Sequence, residues 1–237
     1  SVQTNLNADS NGNGNNDAVE ATSYDGAAVT WSDTTVQNEG FLENITITYT
    51  NSLGNTVSSG DTFSIGTHTI TITTSDNNNT YTDTFIVKVV DTIVPVLTMG
   101  NQTGLNYDTS TKTNSQNNDS TVATSVNGAV VTWSDTTATD AADNSLTVTY
   151  TADLLDGNGT VSVESNDQFP IGTTTVTASV TDDSNNTKQG TFEIKVADPI
   201  NATIVTKSQV TNYDSNNGSA IQATSENGIA VTWSETQ

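Results

Sequence analysis

Short runs in which apolar and polar residues alternate recur along the chain. Ala129, Val131 and Trp133 share one parity, and Thr132 has the other. Alternation with a period of two predicts strands that bury one face and expose the other. Clusters of asparagine, glycine, serine and aspartate separate the runs, which is typical of turns. No amphipathic helix of useful length is evident, so the pattern predicts an all-β fold.

The same parity assigns inner and outer faces to the later strands of each repeat. Threonines 46, 48, 147 and 149 are expected to face outward. The residues expected to face inward are Ile45, Ile47, Tyr49, Leu146, Val148, Tyr150, Ile70, Ile72, Phe85, Val87 and Val89. About seven short strands in roughly 100 residues, apolar on one face and threonine-rich on the other, predict an immunoglobulin-like β-sandwich.

Three segments of the chain repeat one another. Residues 22–31 read TSYDGAAVTW, residues 124–133 read TSVNGAVVTW and residues 224–233 read TSENGIAVTW. The match continues between the first two copies, where residues 63–67 align with 169–173, residues 76–80 with 183–187, and residues 85–89 with 192–196. Spacings near 100 residues suit whole domains. We therefore predict tandem repeats at 1–96 and 97–199, followed by a partial third repeat at 200–237 that contains only the first strands.

The second repeat carries a family resemblance. Residues 131–133 (VTW) and 138–140 (ATD), then residues 169–177 (FPIGTTTVT) leading to 191–196 (TFEIKV), resemble the hyalin repeat, or HYR, family. The first repeat departs from this pattern at Ser64 and His68. Many family members have a cysteine where this chain has Asp83 and Gly190, so the family's disulfide is missing. The resemblance implies an immunoglobulin-like extracellular module for adhesion or structural spacing, without catalytic residues.

Composition and charge exclude several classes of function. The chain of 237 residues has 27 acidic and 5 basic side chains, a net charge of -22, and no cysteine. Nucleic-acid binding is disfavoured because no basic patch exists to neutralise phosphates. No apolar run reaches the roughly 20 residues of a membrane helix. His68 is the only histidine and lies at the start of a predicted strand, without a histidine or cysteine partner, so a catalytic or metal role is disfavoured. Together with the family resemblance, which implies an extracellular module, these exclusions lead us to expect a secreted or cell-surface protein that is not an enzyme and does not insert into membranes.

Two acidic patterns point to calcium. Residues 9–20 fit the loop pattern D-x-[DN]-x-[DN]-G-x5-E. The candidate ligands in this loop are Asp9, Asn11, Asn13, Asn15, Asp17 and Glu20. The second pattern lies at the domain junctions, where Asp91 and Asp198 end corresponding strands and Asp135, Asp140 and Asp143 form an acidic loop. Calcium held between such loops would stiffen a tandem array and screen its repulsion.

Tryptophans and asparagines suggest structural and modification sites. The inner parity of Trp31, Trp133 and Trp233 predicts that they pack in the cores instead of stacking on sugars. Asn-x-Ser/Thr acceptors for N-glycosylation occur at Asn44, Asn78, Asn101, Asn118, Asn158, Asn185, Asn201 and Asn217. Most of them fall in predicted turns, where glycans are tolerated.

The partial third repeat has two interpretations. Either the chain is a piece of a longer array, or its unfinished strands complete a neighbouring copy by strand addition and build a filament. The candidate assembly residues are Ile221, Ile229, Val231 and Trp233.

The function predicted is structural: a stalk, surface filament or adhesin shaft whose partners are copies of itself, further repeats, or surface glycans and proteins. The alternative is a carbohydrate- or protein-binding module that acts through the loops at residues 33–42 and 135–144.

Overall fold

A computed structural model describes residues 2–8, 14, 16–36, 45–76, 79–155 and 157–200, and the strand backbone at 213–214 and 219–220. Within these residues the regular elements are all strands and none is a helix. This result confirms the predicted all-β class. The chain forms two compact units, Ser1–Asp198 and Pro199–Gln237. In the second unit, β18 (Tyr213–Asp214) pairs with β19 (Ser219–Ala220).

The strands of the first unit fall into two sets, one for each of the first two predicted repeats. The first set is β1 (Val19–Glu20), β2 (Ala27–Ala28), β3 (Thr46–Thr50), β4 (Thr62–Phe63), β5 (Gly66–Ser75) and β6 (Thr80–Val90). The second set is β7 (Val96–Thr98), β8 (Gln102–Thr103), β9 (Thr121–Val122), β10 (Ala129–Val130), β11 (Thr132–Trp133), β12 (Thr137–Thr139), β13 (Val148–Asp153), β14 (Thr160–Ser162), β15 (Gln168–Phe169), β16 (Gly172–Thr181) and β17 (Thr187–Ala197). We call residues 1–96 and 97–199 the first and second repeats.

Both repeats share the order of four strands in the larger sheet. The order is β1-β6-β5-β3 in the first repeat and β9-β17-β16-β13 in the second, where β14 adds a fifth strand next to β13. In each, the first strand of the sheet runs parallel to the last long strand, and the other pairs are antiparallel. The short pairs β2–β4 and β10–β15 lie outside these sheets. This arrangement is that of a β-sandwich in which two layers enclose a core.

An indole lies at the centre of each core. Trp31 and Trp133 are each 5% exposed. Trp31 packs against Tyr49, Phe63 and Phe85 with ring centroids 5.4–6.1 Å apart. Trp133 packs against the corresponding rings of Tyr150, Phe169 and Phe192 at 5.6–5.8 Å. Tilted and edge-to-face contacts of this kind add to the stability gained from burial alone.

One inward assignment differs from the structure. Ile47 is 37% exposed, although its parity placed it with the buried residues. It lies on β3, which is the edge strand of its sheet in the described part of the chain. Its counterpart Val148 is on β13, which is flanked by β14 and β16, and it is half-buried.

A candidate metal centre between the two repeats

Three aspartates from two separate segments of the chain meet at the junction of the repeats. Asp91 directly follows β6 of the first repeat, whereas Asp140 and Asp143 lie on the loop between β12 and β13 of the second. One carboxylate oxygen from each lies within 4.8 Å of the others. We call Asp91, Asp140 and Asp143 the junction cluster. Asp135, which the sequence grouped with this loop, is not among them.

Asp91 contributes a buried oxygen that lacks a partner. The residue is 7% exposed. Its Oδ1 accepts a hydrogen bond from the Ile93 amide at 3.1 Å, whereas its Oδ2 has no hydrogen-bond partner among the described residues. A buried polar atom without a partner is costly and calls for an explanation, such as an ion.

The other two carboxylates are oriented by backbone amides of the second repeat. The Ala142 amide donates to Asp140 Oδ1 at 2.9 Å. The Asp183 amide donates to Asp143 Oδ1 at 3.3 Å. These bonds fix one oxygen of each carboxylate and leave the other oxygen available to a cation. The loop therefore presents its two acids in a defined orientation toward Asp91.

The β16–β17 turn supports the cluster, and sequence alignment misplaced it by one residue. We aligned Asp76 with Asp183, but the hydrogen bonds identify Asp182 as its counterpart. The Asn79 amide donates to Asp76 Oδ1 at 2.7 Å, as the Asn186 amide does to Asp182 Oδ1. The second turn is one residue longer, which causes the shift. Asn186 Nδ2 donates to the Asp91 carbonyl oxygen at 3.2 Å, so this turn contacts the first repeat directly.

The cluster is electrostatically unbalanced. Burial raises the pKa of Asp91 above its ordinary value of 3.8, and the charges of Asp140, Asp182 and Glu20 raise this pKa further. Burial also raises the pKa of Asp143, and neighbouring aspartates add to that effect. The ion pairs found in the described residues, Lys88–Asp17 and Lys195–Glu193, lie outside the cluster. A bound cation would supply the missing positive charge.

The same loop also joins the two repeats through apolar packing. Ala142, between the two acids of the loop, is 5% exposed and belongs to the hydrophobic core of the first repeat with Val19, Ala21 and Val89. The strand β7, which follows Asp91 in the chain, pairs with β12 within the second repeat. The second repeat therefore contacts the first through Ala142 and through the hydrogen bond from Asn186 to Asp91. The linker from Asp91 to Gly100 is partly strand, because it contains β7.

The loop at residues 9–20 is only partly described. Asp9, Asn11, Asn13 and Asn15 lie outside the described residues. Asp17 Oδ2 lies 3.4 Å from Lys88 Nζ. The Glu20 carboxylate accepts hydrogen bonds from the Thr92 amide and hydroxyl, both at 2.7 Å. The metal role of this loop therefore stays a prediction.

The remaining candidate residues are placed as follows. Asn101, Asn158 and Asn185 are exposed, whereas Asn118 is half-buried and its amide group bonds to Ser115 and Leu105. The candidates outside the described residues are Asn44, Asn78, Asn201, Asn217, Ile221, Ile229, Val231 and Trp233.

A cleft of about 700 Å³ opens in the first repeat beside β5 and β6. Its walls include Thr35, Val36, Ile72 and Tyr81. The corresponding edge of the second repeat, at Thr137–Thr139, is covered by β7 of the linker. The sequence predicted the loop at residues 33–42 as a recognition site but did not predict a cleft. The cleft becomes evident when the two repeats are compared, because β7 covers the equivalent edge of the second repeat.

Comparison with known families identifies the second repeat. Residues 108–196 match the HYR domain, which confirms the resemblance inferred from this part of the sequence. HYR domains are non-enzymatic repeats of extracellular and cell-surface proteins, so the match indicates an extracellular, adhesion-type module. No curated protein matches the chain. Among the described residues, no helix is long and apolar enough to cross a bilayer.

Proposed function

We propose that this HYR-type chain is a stiff spacer of an extracellular stalk, filament or adhesin shaft. The observation that carries this proposal is the packing at the junction. Ala142 of the second repeat enters the core of the first, and Asn186 of the second repeat donates a hydrogen bond to the Asp91 carbonyl oxygen. Modules tied only by a flexible linker would reorient freely, whereas these contacts restrict bending and twisting.

Distance measurements between the repeats test this stiffness. Tyr24 and Val126 occupy equivalent turns and are 57% and 92% exposed. Because the chain has no cysteine, Tyr24→Cys with Val126→Cys introduces two unique sites for spin labels. We expect one narrow distance distribution by pulsed electron paramagnetic resonance. A distribution as broad as that of two modules on a flexible linker would contradict the proposal.

Assembly and modification are finer parts of the same proposal. Head-to-tail strand addition through Ile221, Ile229, Val231 and Trp233 would extend the shaft into a filament. Light scattering across a concentration series tests this step, because a monomer at every concentration would exclude it. Glycans on the exposed acceptors would protect such a shaft and are tested by intact mass of secreted material.

A second candidate function is recognition of an extended peptide, which the cleft beside Val36 favours over a glycan. In the second repeat the equivalent edge pairs with Val96–Thr98, and Met99 packs against the core there. A strand with this chemistry would add to the first repeat in the same way. Binding of a peptide of residues 92–101, but not of a version with aspartate at positions 97 and 99, would support this function. Binding to glycans instead, measured on an array, would contradict it.

A further inference from the structure

The buried oxygen of Asp91 identifies the junction cluster as more than a group of surface acids. Asp91 Oδ2 is buried and lacks a hydrogen-bond partner among the described residues, and a carboxylate oxygen of Asp91 lies within 4.8 Å of one from Asp140 and one from Asp143. Two oxygens on opposite sides of a calcium ion, each about 2.4 Å from it, lie about 4.8 Å apart. The three oxygens of the cluster are therefore close enough together to bind one calcium ion.

We propose that Asp91, Asp140 and Asp143 bind one calcium ion that joins the two repeats. The proposal deepens the spacer function and rests on it. Asp91 belongs to the first repeat, and the other two ligands belong to the second. One ion would therefore cross-link the repeats at the point where Ala142 already packs into the first core.

The chemistry of the donors selects the ion. All three side chains offer carboxylate oxygens, which hard divalent cations prefer. Magnesium requires oxygens at 2.0–2.1 Å in a near-ideal octahedron, whereas calcium accepts six to eight oxygens at 2.3–2.6 Å in irregular geometry. Three carboxylates contributed by two segments suit the less demanding ion. Water molecules and backbone carbonyls would supply its remaining oxygens.

The ion would also remove an unfavourable charge arrangement. Glu20, Asp182 and Asp183 lie close enough to act on the charges of the cluster. The lysines with described ion pairs, Lys88 and Lys195, neutralise Asp17 and Glu193 instead. Without a cation, mutual repulsion would push the repeats apart, whereas calcium would convert the same groups into an attraction between them.

Calcium titration of the full chain after treatment with EDTA tests the site. Calorimetry should show one site that binds calcium more tightly than magnesium, and calcium should raise the midpoint of thermal unfolding. Asp143→Asn should weaken calcium binding at least tenfold. Asp135→Asn is the matched control, because it makes the same charge change on an exposed residue outside the cluster, and it should leave the affinity unchanged.

Asp91→Asn gives a second test, because its effect on the midpoint of thermal unfolding should differ in sign between EDTA and calcium. In EDTA this variant should unfold at a higher temperature than the wild type, because it removes a buried charge and adds an amide donor beside two carboxylates. In calcium it should lose the stabilisation that the wild type gains. A merely structural aspartate would lower stability in both conditions when replaced.

Three results would overturn the site: no calcium binding up to about 10 mM, well above the range of extracellular modules; equal weakening by Asp135→Asn and Asp143→Asn; or lower stability of Asp91→Asn in EDTA. The distance between the spin labels, measured in EDTA, distinguishes failure of the calcium site from failure of the spacer function. A narrow distribution without calcium binding would leave the spacer intact and remove only the ion.

Discussion

Met99 fills the space in front of Gly190. A Cβ atom at position 190 would lie 2.5 Å from Met99 Sδ, closer than real contacts of this kind. Gly190 is the position at which many HYR modules carry a cysteine. In this chain the Met99 thioether therefore holds the linker against β17 by van der Waals contact.

This contact predicts a coupled pair of substitutions. Gly190→Ala should lower the free energy of unfolding by about 1 kcal/mol, because the flexible Met99 side chain must move. Met99→Ala should lower it by about 2 kcal/mol through lost apolar contact. The double variant should lose less free energy of unfolding than the two single variants lose together, because alanine at position 99 leaves room for the methyl group at position 190. Urea unfolding of all four proteins measures this difference, and strict additivity would contradict the contact.

Replacement of the turn glycine that precedes each tryptophan strand should strongly lower the free energy of unfolding. Gly26 has φ of +103°, and a Cβ atom there would lie 1.9 Å from the Phe63 carbonyl oxygen. Gly26→Ala should lower the free energy of unfolding by about 3 kcal/mol, because backbone strain and a backbone clash act together. Gly54 has φ of +80° with open space around it, so Gly54→Ala, the control, should lose only about 1 kcal/mol. Equal losses in urea unfolding would show that the clash contributes nothing.

The loop after β8 predicts a dependence of stability on pH. Hydrogen bonds from the Ser110 and Ser115 hydroxyls lower the pKa of Asp108 well below its ordinary value of 3.8. A carboxyl whose pKa is lower in the folded state stabilises the fold above pH 4, and this contribution is lost as the pH falls through the folded-state pKa. Asp108→Asn should therefore unfold at a lower temperature than the wild type at pH 7, and the gap should narrow toward pH 2. A gap that does not depend on pH would exclude this charge effect.

Burial predicts which acceptor asparagines carry glycans. Asn158 is exposed on the loop between β13 and β14. The Asn118 side chain is half-buried and bridges the Ser115 amide and the Leu105 carbonyl. In a secretory host that attaches N-glycans, we expect occupancy at Asn158 and little at Asn118. Peptide mapping by mass spectrometry measures both sites in one sample, and a fully occupied Asn118 would contradict the described loop.

Local patterns predicted the fold better than the site. The parity of Val131 and Trp133 correctly assigned buried positions, because a strand alternates faces regardless of its neighbours. The same rule failed at Ile47, whose exposure depends on its position at the sheet edge.

Contacts between distant segments were harder to predict. Asp91, Asp140 and Asp143 were named as junction acids from their positions at a strand end and in a loop. The part played by Asn186 was missed, because it depends on a turn that is one residue longer than its counterpart. The packing of Ala142 into the first core was also missed, since a single alanine in a polar loop carries no periodic signal.

The parallel pairing of β9 with the end of β17 determines how a pulled module would respond. Thr121 and Val122 enter the sheet beside Val196 and Ala197, with both segments running in the same direction. When the two ends of the module are pulled apart, β9 and β17 are pulled in opposite directions along their length. The hydrogen bonds between the two strands are therefore loaded in shear and must break together, instead of one after another. The first repeat has the same arrangement at Val19 and Val89. A tether built from such units would resist sudden loads.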